Sequence, residues 1–321
     1  MIDHIKTSFQ DVCSALLDHD KLFPAKLLPS FSDLGSDEIA RLQAVWPEII
    51  EERKVSLLSD LENLAEADTL TNFDSLSRFA LSDPSGDVRV LAIRLLWECD
   101  DRDLIDRFIQ MMKTDPDVQV RAAAASALGS FVYEGELEEL PARILDRIVD
   151  ELVDTYQTTT KNLVKRHALE SLGFSSRDGV EGFIREMYRS TKVEEIASAL
   201  FAMGRSADTR YDKNVVVHLH NPSTLIQLEA VRASGELDIK SVRGDLLEML
   251  DDSHLDEEVQ YALIWALSQL GGPGVKDKFE EIMDSEIDDD LADFLENAMD
   301  NLAFNDGLAD FDLLELDTDK E

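Results

Sequence analysis

The groups in this chain that could do chemistry are six histidines, two cysteines and 68 carboxylates. His4, His19, His167, His218, His220 and His254 are followed by Ile, Asp, Ala, Leu, Asn and Leu, so no His-Glu pair occurs. His218-Leu219-His220 offers two imidazoles, yet no cysteine or aspartate stands beside it at ligand spacing, and a helical or turn position is expected instead. Neither a Gly-x-Ser-x-Gly elbow nor a phosphate loop nor a dinucleotide fingerprint is present, and Gly271-Gly272-Pro273-Gly274 is expected to be a turn. Cys13 and Cys99 both lie in stretches that read as apolar helix, as expected of buried thiols in a reducing compartment. The sequence thus nominates no catalytic residue, no metal ligand and no cofactor.

The elements that would have to position any site are unusually regular. An alanine recurs at 92, 124, 168, 199, 230, 266 and 298, with spacings of 32, 44, 31, 31, 36 and 32. Five residues after it stand Trp97, Gly129, Gly173, Gly204, Gly235, Gly271 and Ala303. A period of this length means stacked supersecondary units, each covering its neighbour's apolar face. VRAAAASALG, VKRHALESLG, EIASALFAMG and IQLEAVRASG each read as a short apolar helix. The small anchor permits close helix approach, and the glycine is expected to supply the left-handed residue that ends the helix. Asp83-Pro84 and Asp115-Pro116 are expected to cap the helices that follow them. A second amphipathic run between successive anchors, such as Asp103 to Met112, makes each unit a helical hairpin. The predicted fold class is all-α, an α-solenoid.

DPDVQVRAAAASALG at 115–129 and DPSGDVRVLAIRLLW at 83–97 resemble HEAT repeats, in particular the short HEAT-like repeats also found in phycobilisome lyases. The resemblance spans residues 73–303 and implies that Arg89 and Arg121 bond to turn aspartates. Lys165, Ile196, Gln227 and Leu263 replace the arginine in later repeats, where no ladder of such bonds is expected. The HEAT-repeat diiron hydroxylases carry repeated His-Glu pairs, which are missing here. The lyase resemblance implies, as an alternative to a binding protein, a bilin or chromophore lyase-like enzyme whose groove arginines pair tetrapyrrole propionates.

Residues 1–72 are expected to form an N-terminal helical cap, 73–303 the repeat array and 304–321 an acidic C-terminal tail. The tail interleaves Phe304, Leu308, Phe311, Leu313, Leu314 and Leu316 with carboxylates, a pattern suited either to a docking segment or to a fold-back cap. The long spacing between Ala124 and Ala168 holds an insertion, with a turn at Glu134 to Glu139 and a helix opened by Pro141. Insertions in repeats fall on one face and often bind.

A formal charge of −37 weighs on partner choice. Binding nucleic acid or anionic lipid needs clustered basic groups, and Lys161, Lys165, Arg166 and His167 are the one such cluster. Neither a nucleic-acid nor a membrane partner is expected. No leader-like segment or long apolar run stands out, so a cytoplasmic location is expected.

One stripe changes chemistry from repeat to repeat while its neighbours stay apolar. It lies one residue before and two after each anchor, on a single helix face. It supplies Arg94, His167, Glu170, Phe201, Glu229, Arg232 and Trp265 as candidate partner-binding residues. The second helices of HEAT arrays line the concave side, so the resemblance implies a groove there. Aromatic and arginine side chains are common interface anchors; the competing reading is salt bridging and packing between neighbouring repeats. The expected function is a non-enzymatic protein-interaction scaffold or adaptor for a protein partner, a basic one by charge. Monomer is favoured over oligomer.

Overall fold

A computed structural model describes residues 8–252 and 254–318, with side chains described through Asn305. Among these the regular structure is helical throughout, without a strand, and the fold is an all-α solenoid of helical hairpins. The chain divides into two compact units, the first through Ser171 and the second from Leu172.

In the first unit, α1 (Phe9–Leu17) packs on α2 (Ser36–Val45), and a tight helical turn at Ala25–Phe31 lies between them in the chain. Then come α3 (Glu51–Ala67), α4 (Asp74–Ala80), α5 (Gly86–Arg94), α6 (Asp103–Thr114), α7 (Val118–Glu136), α8 (Ala142–Thr158) and α9 (Asn162–Leu172). Helix α3 packs on α5 and α5 on α7, while α4 covers α5 and α8 covers α7. The second helices therefore form one row in which Val88, Ala92, Val120, Ala124, Ala125 and Leu128 are fully buried. Transfer of such apolar surface out of water is what holds each hairpin to the next.

The second unit repeats the plan with α10 (Val180–Tyr188), α11 (Val193–Arg205), α12 (Asp212–Val216), α13 (Thr224–Glu236), α14 (Arg243–Met249), α15 (Glu257–Leu270), α16 (Val275–Met283) and α17 (Asp289–Thr318). Here α11, α13, α15 and α17 stack in order. Ala199, Ala230, Ala266 and Ala298 are buried at the contacts. The start of α17 is held by Asp288, whose Oδ1 accepts from the Leu291 amide at 2.8 Å. The apolar residues proposed for the tail beyond Asn305 lie outside the described side chains.

Three local expectations are corrected. Gly129, Gly204 and Gly235 do not end their helices; each lies inside one, and the left-handed residue comes after the helix, at Glu138 past α7, Ala207 past α11 and Asp238 past α13. The glycines serve approach instead. A Cβ on Gly235 would stand 2.8 Å from the Ala266 Cα, and one on Gly204 3.0 Å from the Ala233 Cα. Gly271 does have positive φ, at 54°, and opens the turn expected at 271–274.

Second, Asp83 and Asp115 are not the helix caps. Ser85 caps α5 and Asp117 caps α7, each side chain accepting from an amide of the first turn. Asp83 and Asp115 sit two residues earlier and accept from the Ser85 and Asp117 amides at 2.8 and 2.9 Å, holding the turn that precedes the cap. Third, Cys13 is buried in α1, but Cys99 is half-buried in the connection after α5, its Sγ 3.6 Å from Arg78 Nη2. Burial pushes both thiols up.

Candidate partner-binding row on the second helices

The turn aspartates tie one hairpin to the next. Arg89 donates from Nη2 and Nε to the two carboxylate oxygens of Asp115, as the resemblance implied, and from Nη1 to the Asp83 carbonyl. Arg121 reaches the Asp115 carbonyl at 2.7 Å. The ladder begins one hairpin earlier than the sequence suggested, because buried Lys54 on α3 donates to Asp83 at 3.0 Å. Burial pushes the Asp83 carboxyl up, but the Ser85 amide, the Trp46 indole N–H and the Lys54 ammonium outweigh it and hold the group below its usual value. These bonds fix the spacing of the second helices and hence of the row they present.

On that row in the first unit, Arg94 is exposed and its Nε lies 2.6 Å from Glu62 Oε1 of α3. Positions on neighbouring helices also meet: Ser126 Oγ of α7 is 2.7 Å from His167 Nδ1 of α9. Glu170 Oε2 lies 2.9 Å from the same Nδ1. A serine, a histidine and a glutamate in contact invite a nucleophilic reading. A triad needs its serine and carboxylate on opposite ring nitrogens, so that the imidazole can move a proton between them. Here both partners face Nδ1, and the cluster joins α7 to α9 without that relay. The Ser171 hydroxyl, donating to the Ala125 carbonyl at 2.8 Å, reinforces the same joint.

In the second unit, Glu229 is buried on α13 and its Oε1 accepts from Arg232 Nη1 at 3.0 Å, while the Arg232 side chain stays about half exposed. Phe201 on α11 is half-buried beneath Arg205, whose guanidinium lies 4.9 Å from its ring centre and 5.3 Å from that of Phe174. The Arg205 Nη1 also pairs with Glu236 Oε1 at 2.9 Å. Burial pushes the Glu236 carboxyl up against the pull of Arg205 and Arg232. Trp265 on α15 leans on Phe294 of α17 at 6.2 Å between ring centres and keeps 40% of its surface exposed.

Sequence reasoning missed Arg205, Phe174 and Glu236. The position of Arg205 four residues after Phe201 carried the signal, since residues at that spacing share a helix face. In the first unit the row carries paired charges and the exposed Arg94, and in the second it mixes paired charges with aromatic and arginine surface. Among the described residues no group of three or more His, Cys, Asp or Glu side chains could hold a metal ion.

The two sets of hairpins match a known family model, described as HEAT repeats, over residues 74–173 and 214–298, more than half of the chain. The chain belongs to the HEAT-repeat family. The α10–α11 hairpin, between the matched stretches, keeps the HEAT-repeat pattern of buried Ala199 and close-packed Gly204. No curated protein matches the chain. Among solved structures, this HEAT-repeat chain is similar to YibA of Escherichia coli, at 16% identity and a TM-score of 0.42 over 87% of this chain and 96% of that one. It is also similar to the CpcE–CpcF complex of phycocyanin lyase from Nostoc, at 17% identity and 0.48 over 71% and 94%. Human deoxyhypusine hydroxylase in complex with glycerol is similar at 16% identity and 0.38 over 92% and 96%.

Proposed function

We propose that this HEAT-repeat protein is a non-enzymatic scaffold or adaptor that holds a protein partner on the second-helix row. The observation that carries the reading is the half-open aromatic and arginine surface of the second unit, Phe201 under Arg205, then Arg232, then Trp265. Large rigid aromatics gain much from burial at little conformational cost, and a guanidinium offers several directed hydrogen bonds at once, which is why both are common interface anchors. The ion pairs behind them, Glu229–Arg232 and Arg205–Glu236, pre-orient the arginines. A chain of charge −37 favours a basic partner and repels nucleic acid and anionic lipid. No helix of the described residues is long and apolar enough to cross a membrane.

The test is affinity capture from native lysate, with wild type beside Phe201→Ala, Arg232→Ala, Trp265→Ala in one chain, both checked for equal helical content and melting. A partner held by wild type and lost by the variant supports the scaffold and its row. Equal recovery by both overturns the row. A new visible absorbance band on adding free bilin, abolished in the variant, would overturn the non-enzymatic reading in favour of tetrapyrrole chemistry.

A further inference from the structure

Helix α7 runs twelve residues past its anchor Ala124, whereas α11 and α13 stop six past Ala199 and Ala230. At a rise of about 1.5 Å per residue, those six extra residues project α7 by roughly 9 Å beyond an ordinary second helix. The projection is packed along its inner side. Phe131, Val132 and Gly135 are buried on its inner side, and Gly135 lets Leu145 of α8 come so close that a Cβ would meet Leu145 Cδ1 at 2.8 Å. Its outer side carries Tyr133 and Leu137, one turn apart, with 51% and 52% of their surfaces exposed.

The α5–α6 connection supplies the other half of this corner. Helix α5 ends at Arg94, so the backbone has left the helix by Trp97, and that side chain turns outward with 61% of its surface exposed. Arg102 on this connection donates to the Glu139 carbonyl at 3.1 Å and so pins the two connections together. Asp100, Glu134 and Glu139 gather around the joint. Burial, then the charges of Asp100 and Glu139, push the Glu134 carboxyl up against the single opposing pull of Arg102. Three carboxylates thus act at the joint against the one guanidinium of Arg102, and the exposed apolar residues flank them in the chain, Trp97 three residues before Asp100, Tyr133 next to Glu134 and Leu137 two residues before Glu139.

We propose that Trp97, Tyr133 and Leu137, edged by Asp100, Glu134 and Glu139, dock a peptide segment of a protein partner in which arginine or lysine alternates with apolar residues. A cationic side chain relieves the repulsion among the carboxylates and finds the faces of Trp97 and Tyr133 for cation–π contact. The apolar residues of the same segment cover Leu137 and the ring edges. Phosphate-bearing ligands meet the same carboxylates with the wrong sign. The surface lies at the end of α7 and does not depend on the second-helix row, so it stands or falls separately from the scaffold proposal.

The probe is a short fluorescein-labelled peptide alternating arginine and leucine, titrated with the full-length protein at about 0.15 M salt, where long-range attraction is screened. Anisotropy gives the affinity. Trp97→Ser with Tyr133→Ser, which leaves the charge unchanged, weakens binding about tenfold, and so does Asp100→Asn, Glu134→Gln, Glu139→Gln. The control Glu48→Gln, Glu52→Gln, Glu66→Gln removes the same charge from exposed positions on the α2–α3 hairpin and binds as wild type does. Equal weakening by the control, an unaffected serine variant, or no binding by wild type each overturns the proposal. Circular dichroism melts of all four proteins establish that a loss of binding is not a loss of fold.

Discussion

Arg89 and Asp115 meet through two parallel hydrogen bonds, Nη2 to Oδ1 at 2.7 Å and Nε to Oδ2 at 3.0 Å, with both side chains about nine-tenths buried. The fork matches the carboxylate in geometry as well as charge, and the remaining Nη1 is taken by the Asp83 and Pro84 carbonyls. One guanidinium therefore spans the turns of two consecutive hairpins.

Removing one member of such a buried pair strands the other. Arg89→Met should cost about 3 kcal/mol of unfolding free energy. Arg94→Ala, which breaks the more exposed pair with Glu62 at 2.6 Å, should cost less than about 1 kcal/mol. Urea unfolding of both variants measures the contrast, and comparable losses would contradict the role given to Arg89.

The glycines make a prediction of opposite signs. Gly235→Ala puts a methyl 2.8 Å from the Ala266 Cα and should destabilise by about 1–3 kcal/mol. Gly244→Ala, on α14 with open space around its missing Cβ, should stabilise by up to about 1 kcal/mol, because alanine loses less freedom on entering a helix. Thermal melts of the two variants should move in opposite directions.

Asp83 sets an acid limit. Its carboxyl is held below its unfolded value of about 3.9, so its contribution is fully present above that pH and is lost as pH falls through the lower folded value. Asp83→Asn should be clearly less stable than wild type at neutral pH. The gap should narrow on approaching pH ~3; a constant gap between those limits would show that charge on Asp83 is not what stabilises the turn.

His218 adds a second, milder dependence. Asn221 Oδ1 accepts from the Ser223 amide at 2.9 Å, which turns its Nδ2 toward His218 Nδ1 at 3.0 Å. Nδ1 must accept, so the ring is neutral with its proton on Nε2, donating to the Tyr188 hydroxyl at 3.1 Å, which donates on to the Asn214 carbonyl at 3.3 Å. Burial lowers the His218 pKa from its ordinary 6.5. The folded state thus binds fewer protons here than the unfolded chain, and stability present above pH ~6.5 is lost as pH falls toward the folded value. Melting temperature from pH 7.5 to 5.5 should fall more for wild type than for His218→Gln; parallel curves would remove His218 from the account.

How much was legible differs by element. The alanine period and the hairpins follow from residues close in sequence or from a pattern repeated along the chain, and the Arg89–Asp115 bond from the resemblance of residues 83–97 and 115–129 to HEAT repeats. A helix face is set by a period of 3.6, and that period is written along the chain. The same local logic misassigned Gly204 and Gly235. Read along the chain they look like helix ends, and only the distance to Ala233 and Ala266, a repeat away, shows that they admit the neighbouring helix.

Partner choice depended on tertiary structure for the same reason. Lys54 joins the ladder because α3 packs on α5, and Arg205, the last residue of α11, stacks on Phe174 and Phe201 while the next helix brings Glu236 to within 2.9 Å of it. Trp97 and Tyr133 are open to solvent, the first past the end of α5 at Arg94 and the second on the stretch of α7 that runs on to Glu136. The sequence by itself determined the repeating units and the faces they bury, since those rest on local backbone periodicity. Which side chains meet across repeats, and which stay open to solvent, was decided only by how closely each pair of helices packs.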